Sequence, residues 1–413
     1  MSRSGQVRIR LLSPEMLGRR FQYAFLSFSD YVEVRPDLGE AVFPSPDEYV
    51  RAVEEALAAI VEGLSWPEPS KESKCPRPTV SVGGWSIDCS RLDRGPSLYQ
   101  LGSKSDAAIL QGAGLSRCAY VTRACKTTVA WTHAAVSYAL EVIRRGGPLG
   151  GEAGLEIPWL ARASLFSRVR SVRGPTEAKG ARIDADTLGT ILLGGALSYL
   201  GSWRVDSGRQ ASELEFYVLP DYPSRAYRVL RQIAASGGIR DNLAAKAVRL
   251  LRELSVSYEQ ALAVAVASQV YSHAATARRA GVEVDEALAA GKLYTVQPGR
   301  RAQVRAGVPL TNVLLRVYSE ETLRSLDIFV SQAIRQRDRE AGNAAKNAAS
   351  ECVNSLFMQA LSGGSGDLYL RDCARALAAL HSYDKAPHQL RRSAAILLGR
   401  LEWEAARIIR SRR

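Results

Sequence analysis

The sequence has few of the residues on which common catalytic and metal sites depend. Its four histidines (His133, His273, His381 and His388) show no H-E-x-x-H spacing, and its six cysteines include no C-x-x-C pair. A Walker A loop and a G-x-S-x-G elbow are also absent. These absences argue against zinc hydrolases, P-loop NTPases and α/β-hydrolases. We predict a protein that is not an enzyme and that holds no metal and no cofactor.

The gaps between the cysteines match neither a zinc knuckle nor a zinc ribbon, so buried free thiols are expected. Disulfides are the alternative if the source is a hyperthermophile. The six cysteines are Cys75, Cys89, Cys118, Cys125, Cys352 and Cys373. His133 follows Trp131 in an apolar segment, which predicts core packing with one hydrogen bond.

The sequence also lacks a convincing membrane span. The uncharged stretch Thr187–Trp203 is at the short end of the roughly 17–25 residues that a span needs. That stretch contains glycine, serine and threonine, and no second span exists to accompany it. The N-terminus has no apolar signal region, which predicts a cytoplasmic protein with no membrane partner.

As a helix, Thr187–Trp203 is apolar on all sides and must be buried. Asp184 or Asp186 is placed to cap it. The glycines in it, among them Gly194, lower helix propensity and are tolerated where another backbone packs close. The stretch divides the chain, because strands and loops precede it and helices follow it.

A strand follows this helix. Leu214, Phe216 and Val218 alternate with Glu213, Glu215 and Tyr217, and the strand ends at Pro220. This alternation predicts a half-buried strand.

The N-terminal part reads as a mixture of strands and helices. A strand is predicted at Gln6–Leu12, a short helix from Ser13, a strand or hairpin at Phe21–Val34, and an amphipathic helix from Ser45. From Ser224 onward the sequence reads as helices with one strand at Leu293–Val296. The predicted helices cover 224–236, 240–254, 257–280, 319–341, 343–362, 367–382 and 387–411. The fold class is therefore α+β, with a mixed α/β domain at 1–223 and a helical bundle at 224–413.

The net charge is +13 and is unevenly spread along the chain. Residues 224–413 hold 29 Lys and Arg against 17 Asp and Glu, whereas residues 1–223 hold 26 against 25. Residues 104–182 form a second basic region, with 12 basic and 5 acidic residues. A regional basic excess predicts a polyanionic partner, most often nucleic acid.

Two segments concentrate candidate binding residues. The loop at 162–182 is rich in arginine and suits phosphate contacts. Asn343, Asn347 and Asn354 are spaced to share one helical face with Gln336 and Arg339. Charge and placement together select Lys104, Arg123, Lys126, Arg168, Arg170, Arg173, Lys179, Arg300, Arg301, Arg305, Arg335, Arg337, Arg339, Asn343 and Asn347.

Three features together resemble the large subunit of archaeal type I-A CRISPR effector (Cascade) complexes. They are the apolar, glycine-rich helix Leu188–Trp203, the strand Phe216–Pro220 and the basic helical domain from Ser224. The resemblance covers about half of the chain.

The resemblance implies a non-enzymatic role in antiviral defence. The N-terminal domain would recognise a protospacer-adjacent motif in duplex DNA, with Lys104, Lys126 and the Arg168–Lys179 loop as candidate contacts. The helical domain would support the displaced strand or the guide–target heteroduplex. The implied partners are target DNA, guide RNA and the other subunits of the complex.

Three alternatives remain open. The chain is a different nucleic-acid-binding protein, or a scaffold whose basic surface binds acidic proteins. The third is a metal-dependent enzyme, with Asp184, Asp186 and Asp206 forming an acidic cluster near Glu213 and Glu215.

Overall fold

The protein is an α+β protein built from two compact units. Its computed structural model describes residues 5–63, 79–89, 92, 95–96, 131–151, 154–158, 160–163, 165, 182–207, 210–297, 303–310, 313–362 and 367–411. Unit 1 comprises Met1–Ile239 and Ala290–Pro309, and unit 2 comprises Arg240–Ala289 and Leu310–Arg413.

Unit 1 begins with a small antiparallel sheet, in the order β1 (Val7–Arg10), β3 (Glu40–Phe43), β2 (Glu33–Arg35). Helix α1 (Leu17–Leu26) lies between β1 and β2, and helix α2 (Pro46–Gly63) follows β3.

The predicted strand or hairpin at Phe21–Val34 is wrong over Phe21–Leu26, which belong to α1, and holds only at its end, where β2 begins at Glu33. All but one of the α1 residues are buried. Aromatic residues such as Phe21, Tyr23 and Phe25 favour a strand by propensity, but on α1 they are buried by packing in the core of unit 1.

Helix α4 (Ala185–Ser198) packs against α1 and against α3 (Trp131–Arg145). A Cβ atom at Gly194 would lie 1.7 Å from the carbonyl oxygen of Phe21. The close backbone approach predicted for these glycines is therefore confirmed, because glycine alone lets the α1 and α4 backbones come this near.

The helix predicted to reach Trp203 ends at Ser198, and strand β8 (Tyr199–Ser207) begins at the next residue. Pairing decides this change, since Trp203 lies opposite Leu214 in the neighbouring strand. Backbone groups that leave the helix gain partners in the sheet ladder.

The larger sheet of unit 1 has the antiparallel order β11 (Gln303–Pro309), β10 (Gly291–Gln297), β9 (Gln210–Pro220), β8. The predicted strand at Leu293–Val296 is confirmed as part of β10. Strand β9 ends at Pro220 as predicted, but it is buried on both faces from Glu215 onward. The expectation of a solvent face is wrong because helices α1 and α4 pack against β9, and the buried Glu215 accepts a hydrogen bond of 2.6 Å from Tyr217.

The remaining elements of unit 1 are short or peripheral. The pairs β4 (Thr79–Val82) with β5 (Trp85–Asp88), and β6 (Leu155–Glu156) with β7 (Arg182–Ile183), form two-stranded sheets. Helix α5 (Arg225–Ala235) belongs to unit 1, and the short helix α6 (Gly238–Asp241) contains the boundary at residue 240. Arg231 on α5 is buried and donates hydrogen bonds to the carbonyls of Leu197 (2.9 Å) and Ala59 (2.7 Å).

Unit 2 is entirely helical over its described residues. The helices are α7 (Leu243–Glu253), α8 (Tyr258–Arg279), α9 (Val284–Ala289), α10 (Val313–Val317), α11 (Glu320–Arg335), α12 (Arg339–Leu361), α13 (Asp367–His381) and α14 (His388–Ser411). The longer helices pack in pairs, among them α7 with α8, α12 with α13, α13 with α14, and α11 with α14.

The cysteines do not follow the prediction of free thiols. Cys352 on α12 and Cys373 on α13 are buried and form a disulfide, with their Cα atoms 4.3 Å apart. Cys89 is disulfide-bonded as well. Sequence spacing gives no hint of the Cys352–Cys373 pair, because packing of α12 against α13 brings the two residues together.

The net charge is divided differently between the two structural units than between residues 1–223 and 224–413. Residues 224–239 and 290–309 belong to unit 1, although the sequence places them in the C-terminal half. The seven basic residues of these two segments therefore count with unit 1. By structural unit, the net charge is +8 for unit 1 and +5 for unit 2. Net charge consequently does not single out the helical unit.

Candidate nucleic-acid interface

Many of the predicted binding residues lie outside the residues that the structure describes. These are Lys104, Arg123, Lys126, Arg168, Arg170, Arg173, Lys179, Arg300 and Arg301. Arg305 lies on β11, and its side chain is not among those described. The five that remain, Arg335, Arg337, Arg339, Asn343 and Asn347, all belong to unit 2 and are all exposed.

Arg335, Arg337 and Arg339 form one feature, which we name the arginine turn. Arg335 is the last residue of α11, Arg337 is in the connection, and Arg339 is the first residue of α12. The break predicted between helices 319–341 and 343–362 thus lies earlier, at residues 336–338. Asp338 fixes this position, since its carboxylate accepts a hydrogen bond of 2.8 Å from the Ala341 backbone N–H and caps α12.

The acidic residues beside the arginine turn interact with groups other than its arginines. Asp338 serves as the cap of α12, and Glu340 forms a 2.8 Å salt bridge with Lys385. Hydrogen bonds from Lys385 and then Tyr383 lower the pKa of Glu340. Among the described residues, no carboxylate forms a salt bridge with the arginine turn. Its three guanidinium groups therefore remain available to an anionic ligand.

The exposed face of α12 continues from this turn. Asn343 and Asn347 follow Arg339 at four-residue steps and are exposed, whereas Asn354 is half-buried. The predicted asparagine stripe is therefore present over its first two turns. Gln336 does not belong to it, because this residue lies in the connection rather than on the helix.

A cleft of about 260 Å³ opens among α7, α8 and α11, and Arg335 lies on its wall. Lys246 and Arg249 add two further cations to the cleft. Lys246 donates a 2.8 Å hydrogen bond to Ser268 Oγ, and Arg249 forms a 3.0 Å salt bridge with Asp241. Asp327 also lines the cleft, so its lining is of mixed charge.

Sequence reasoning missed Lys246 and Arg249. The two residues lie one turn apart on α7, far along the chain from Arg335. Their three-residue spacing indicates a common helical face. Nothing in the sequence pairs that face with the end of α11.

The carboxylates of the alternative acidic enzyme site accept hydrogen bonds that stabilise the fold. Asp184 caps α4, accepting hydrogen bonds from Thr187 N (2.6 Å) and Thr187 Oγ1 (2.8 Å). Glu213 accepts a 2.6 Å hydrogen bond from Ser202, and Glu215 accepts one from Tyr217. The side chain of Asp206 is not described. Over the described part of the chain, no three His, Cys, Asp or Glu side chains are grouped to hold a metal ion.

Asp186 is buried and works as an anchor for the loop after α3. It accepts hydrogen bonds from Tyr138 Oη (2.6 Å) and from the backbone N–H groups of Leu149 (2.9 Å) and Gly150 (2.8 Å). Burial raises the pKa of Asp186, against the opposing effect of these hydrogen bonds. His133 is buried and donates a 3.2 Å hydrogen bond to the carbonyl of Cys89, which confirms the predicted core packing.

Comparison of the chain with protein-family models, with curated proteins and with solved structures gives no match. The resemblance to the type I-A large subunit therefore stays a prediction. In the described part of the chain, no helix combines the length and the apolar character that crossing a bilayer requires.

Proposed function

We propose that unit 2 binds nucleic acid, with the arginine turn contacting phosphates and Asn343 and Asn347 extending the contact along α12. The observation that carries the proposal is the arginine turn itself. Three exposed guanidinium groups lie within five residues, and the neighbouring carboxylates are engaged as a helix cap and as a partner of Lys385.

Arginine suits this role because its planar fork donates two parallel hydrogen bonds to a phosphate. Asparagine side chains contribute hydrogen bonds to phosphate or base edges. Neither group carries chemistry that breaks a covalent bond in this arrangement. The proposed activity is accordingly binding without catalysis.

The finer proposal follows from the resemblance. We propose that the chain is the large subunit of a type I CRISPR effector complex, with target DNA, guide RNA and the small effector subunits as partners. Unit 2 would then support the displaced strand or the heteroduplex. The glycine-rich helix α4, the strand β9 and the helical unit 2 are the features that support this assignment.

The test measures the affinity of the full chain for duplex DNA, single-stranded DNA and RNA from about 50 to 300 mM salt, a range that brackets physiological screening. The variant Arg335→Ala/Arg337→Ala/Arg339→Ala is compared with the wild type. We expect weaker binding and a salt dependence whose logarithmic slope on duplex DNA falls by about two to three, since each phosphate contact contributes about 0.9.

The matched control is Arg316→Ala/Arg371→Ala/Arg375→Ala, which removes the same charge from other exposed positions of unit 2. An equal loss in the control would show that total charge, not the arginine turn, governs binding. Absence of binding to all three nucleic acids at low salt would refute the proposed function and direct attention to acidic protein partners. Dependence on a DNA motif, measured with the small subunits present, tests the CRISPR assignment.

A further inference from the structure

A second exposed face in unit 2 combines arginine with a tryptophan. Ile396, Arg400, Trp403, Arg407 and Arg410 recur on α14 at steps of three and four residues, which places them on one face. All five are exposed, and Trp403 is 51% exposed. We name this face the Trp403 stripe.

The indole of Trp403 is held in place by a fixed cation. The guanidinium carbon of Arg407 lies 5.6 Å from the centre of the Trp403 ring, within the range of a cation–π contact. Arg407 in turn donates a 2.8 Å hydrogen bond to Glu404 and a second one to the carbonyl of Val317. The ring is thus supported from one side by a side chain that is itself anchored.

The anchor is buried and fully engaged. Glu404 has no exposed surface and also accepts hydrogen bonds from the Ser319 backbone N–H (2.7 Å) and from Thr322 Oγ1 (2.9 Å). Its charge offsets that of Arg407. The cations left for a ligand are Arg400 and Arg410, for which the structure shows no salt bridge to a described carboxylate.

From this geometry we infer that the Trp403 stripe binds an unpaired segment of nucleic acid, with a base stacked on the indole and phosphates on Arg400 and Arg410. The inference rests on the proposed function and specifies single-stranded nucleic acid as a ligand. Stacking on an aromatic ring requires a base that is free of its duplex partner, and arginines beside the ring supply the backbone contacts. A preorganised ring reduces the entropy that binding has to offset.

An anionic membrane is the competing ligand for an arginine- and tryptophan-containing helix. A helix lying on a membrane places its basic and apolar residues on opposite faces. In α14 the arginines and Trp403 share one face, and the apolar residues Leu390, Leu397 and Leu401 are buried in the bundle. The arrangement therefore favours nucleic acid.

A short nucleic-acid strand is long enough to contact both the Trp403 stripe and the arginine turn. Helix α11 starts beside Glu404, through the Ser319 contact, and ends at Arg335 in the arginine turn. Its 16 residues span about 24 Å. A 15-nucleotide oligo(dT) is therefore a suitable probe, within the site sizes of roughly 4–16 nucleotides that single-strand-binding modules cover.

The experiment compares the affinity of full-length Trp403→Ala, Trp403→Phe and Ile396→Ala for this oligo(dT) and for a duplex of the same length. We expect Trp403→Ala to weaken oligo(dT) binding by about 5- to 150-fold, the effect of losing one stacking contact between a base and an aromatic ring, while duplex binding stays within about twofold. Trp403→Phe should retain most of the affinity, because phenylalanine still stacks. Ile396→Ala, which changes the same face without removing a stacking ring, should bind like the wild type.

Two results would overturn the inference. One is an equal loss of oligo(dT) and duplex binding in Trp403→Ala, or no loss at all. The other is tighter binding to vesicles containing phosphatidylserine than to oligo(dT), with that vesicle binding abolished in Trp403→Ala. If Trp403→Ala binds like the wild type while the arginine-turn variant binds weakly, the stripe is excluded and the proposed function stands. If the wild type binds no nucleic acid, both fall.

Discussion

Arginine serves different purposes in the two units. In unit 1, Arg19 and Arg231 are buried and donate to backbone carbonyls inside the fold. In unit 2, no arginine whose side chain is described is buried. The same residue type thus joins elements of unit 1 and coats the surface of unit 2.

This contrast shows that ligand binding depends more on whether an arginine is exposed and unpaired than on the net charge of its unit. Unit 1 has the larger net charge, +8 against +5. Yet some of its cations are used internally, whereas the arginine turn of unit 2 is exposed. A ligand can only be attracted by charge that the fold has left exposed and unpaired.

The largest expected difference in stability between the two units comes from replacing Gly194. In Gly194→Ala the new methyl group would lie 1.7 Å from the Phe21 carbonyl oxygen, and backbone cannot move aside as a flexible side chain can. We expect unit 1 to lose more than the roughly 1–3 kcal/mol that overpacking ordinarily costs. Hydrogen exchange resolved by peptide would show faster exchange in α1 and α4.

The matched control is Gly399→Ala on α14, where the added Cβ meets no atom within 4 Å. This change should stabilise unit 2 by about 0.5–1 kcal/mol, because alanine is the better helix former. Equal effects of the two substitutions would show that the α1–α4 contact is not tight.

The disulfide provides the next largest effect, and it belongs to unit 2. Cys352 and Cys373 are 21 residues apart in sequence, so removing their bond should lower the free energy of unfolding by about 3 kcal/mol. The measurement is urea unfolding of Cys352→Ala/Cys373→Ala with hydrogen exchange in parallel. Faster exchange should be confined to unit 2, and an unchanged urea midpoint would contradict the prediction.

The substitution with the smallest expected loss of stability tests the contrast between buried and exposed arginines directly. Arg231→Met keeps the aliphatic volume but leaves the carbonyls of Leu197 and Ala59 without their donor. We expect unit 1 to lose about 2 kcal/mol, since two carbonyls each lose a donor and each loss costs about 1 kcal/mol, the lower end of the range for a buried group. Arg335→Met should leave stability within about 0.5 kcal/mol and weaken nucleic-acid binding. A reversed pattern would refute the proposed division of roles.

Much of the secondary structure was predictable from local pattern. The strand β1 and the helices α2, α7, α8, α13 and α14 match the elements predicted from the sequence. The failures are at places where tertiary contacts override the period. Helix α1 is buried on nearly all sides. Strand β8 replaces the end of a predicted helix because it pairs with β9. The cap at Asp338 moves the break between two predicted helices from residue 342 to residues 336–338.

The candidate site was only partly predictable. Arg335, Arg337 and Arg339 are exposed as expected of a basic segment, and Asn343 and Asn347 share a face of α12. Trp403 was not selected, although its spacing to Arg400 and Arg407 is visible in the sequence. What the spacing cannot show is that Glu404 is buried and holds Arg407 against the ring.

Local sequence therefore decided the α+β class, the helical C-terminal half and the close packing at the glycines of α4, because period, caps and the lack of a side chain act within a few residues. The tertiary structure alone decided that β10 and β11 join unit 1, that Cys352 bonds Cys373, and which arginines stay free. Each of these depends on residues distant in the chain meeting in space. Contacts between such residues fix which side chains are buried and paired. Burial and pairing in turn determine whether a charged side chain stabilises the fold or stays available to a ligand.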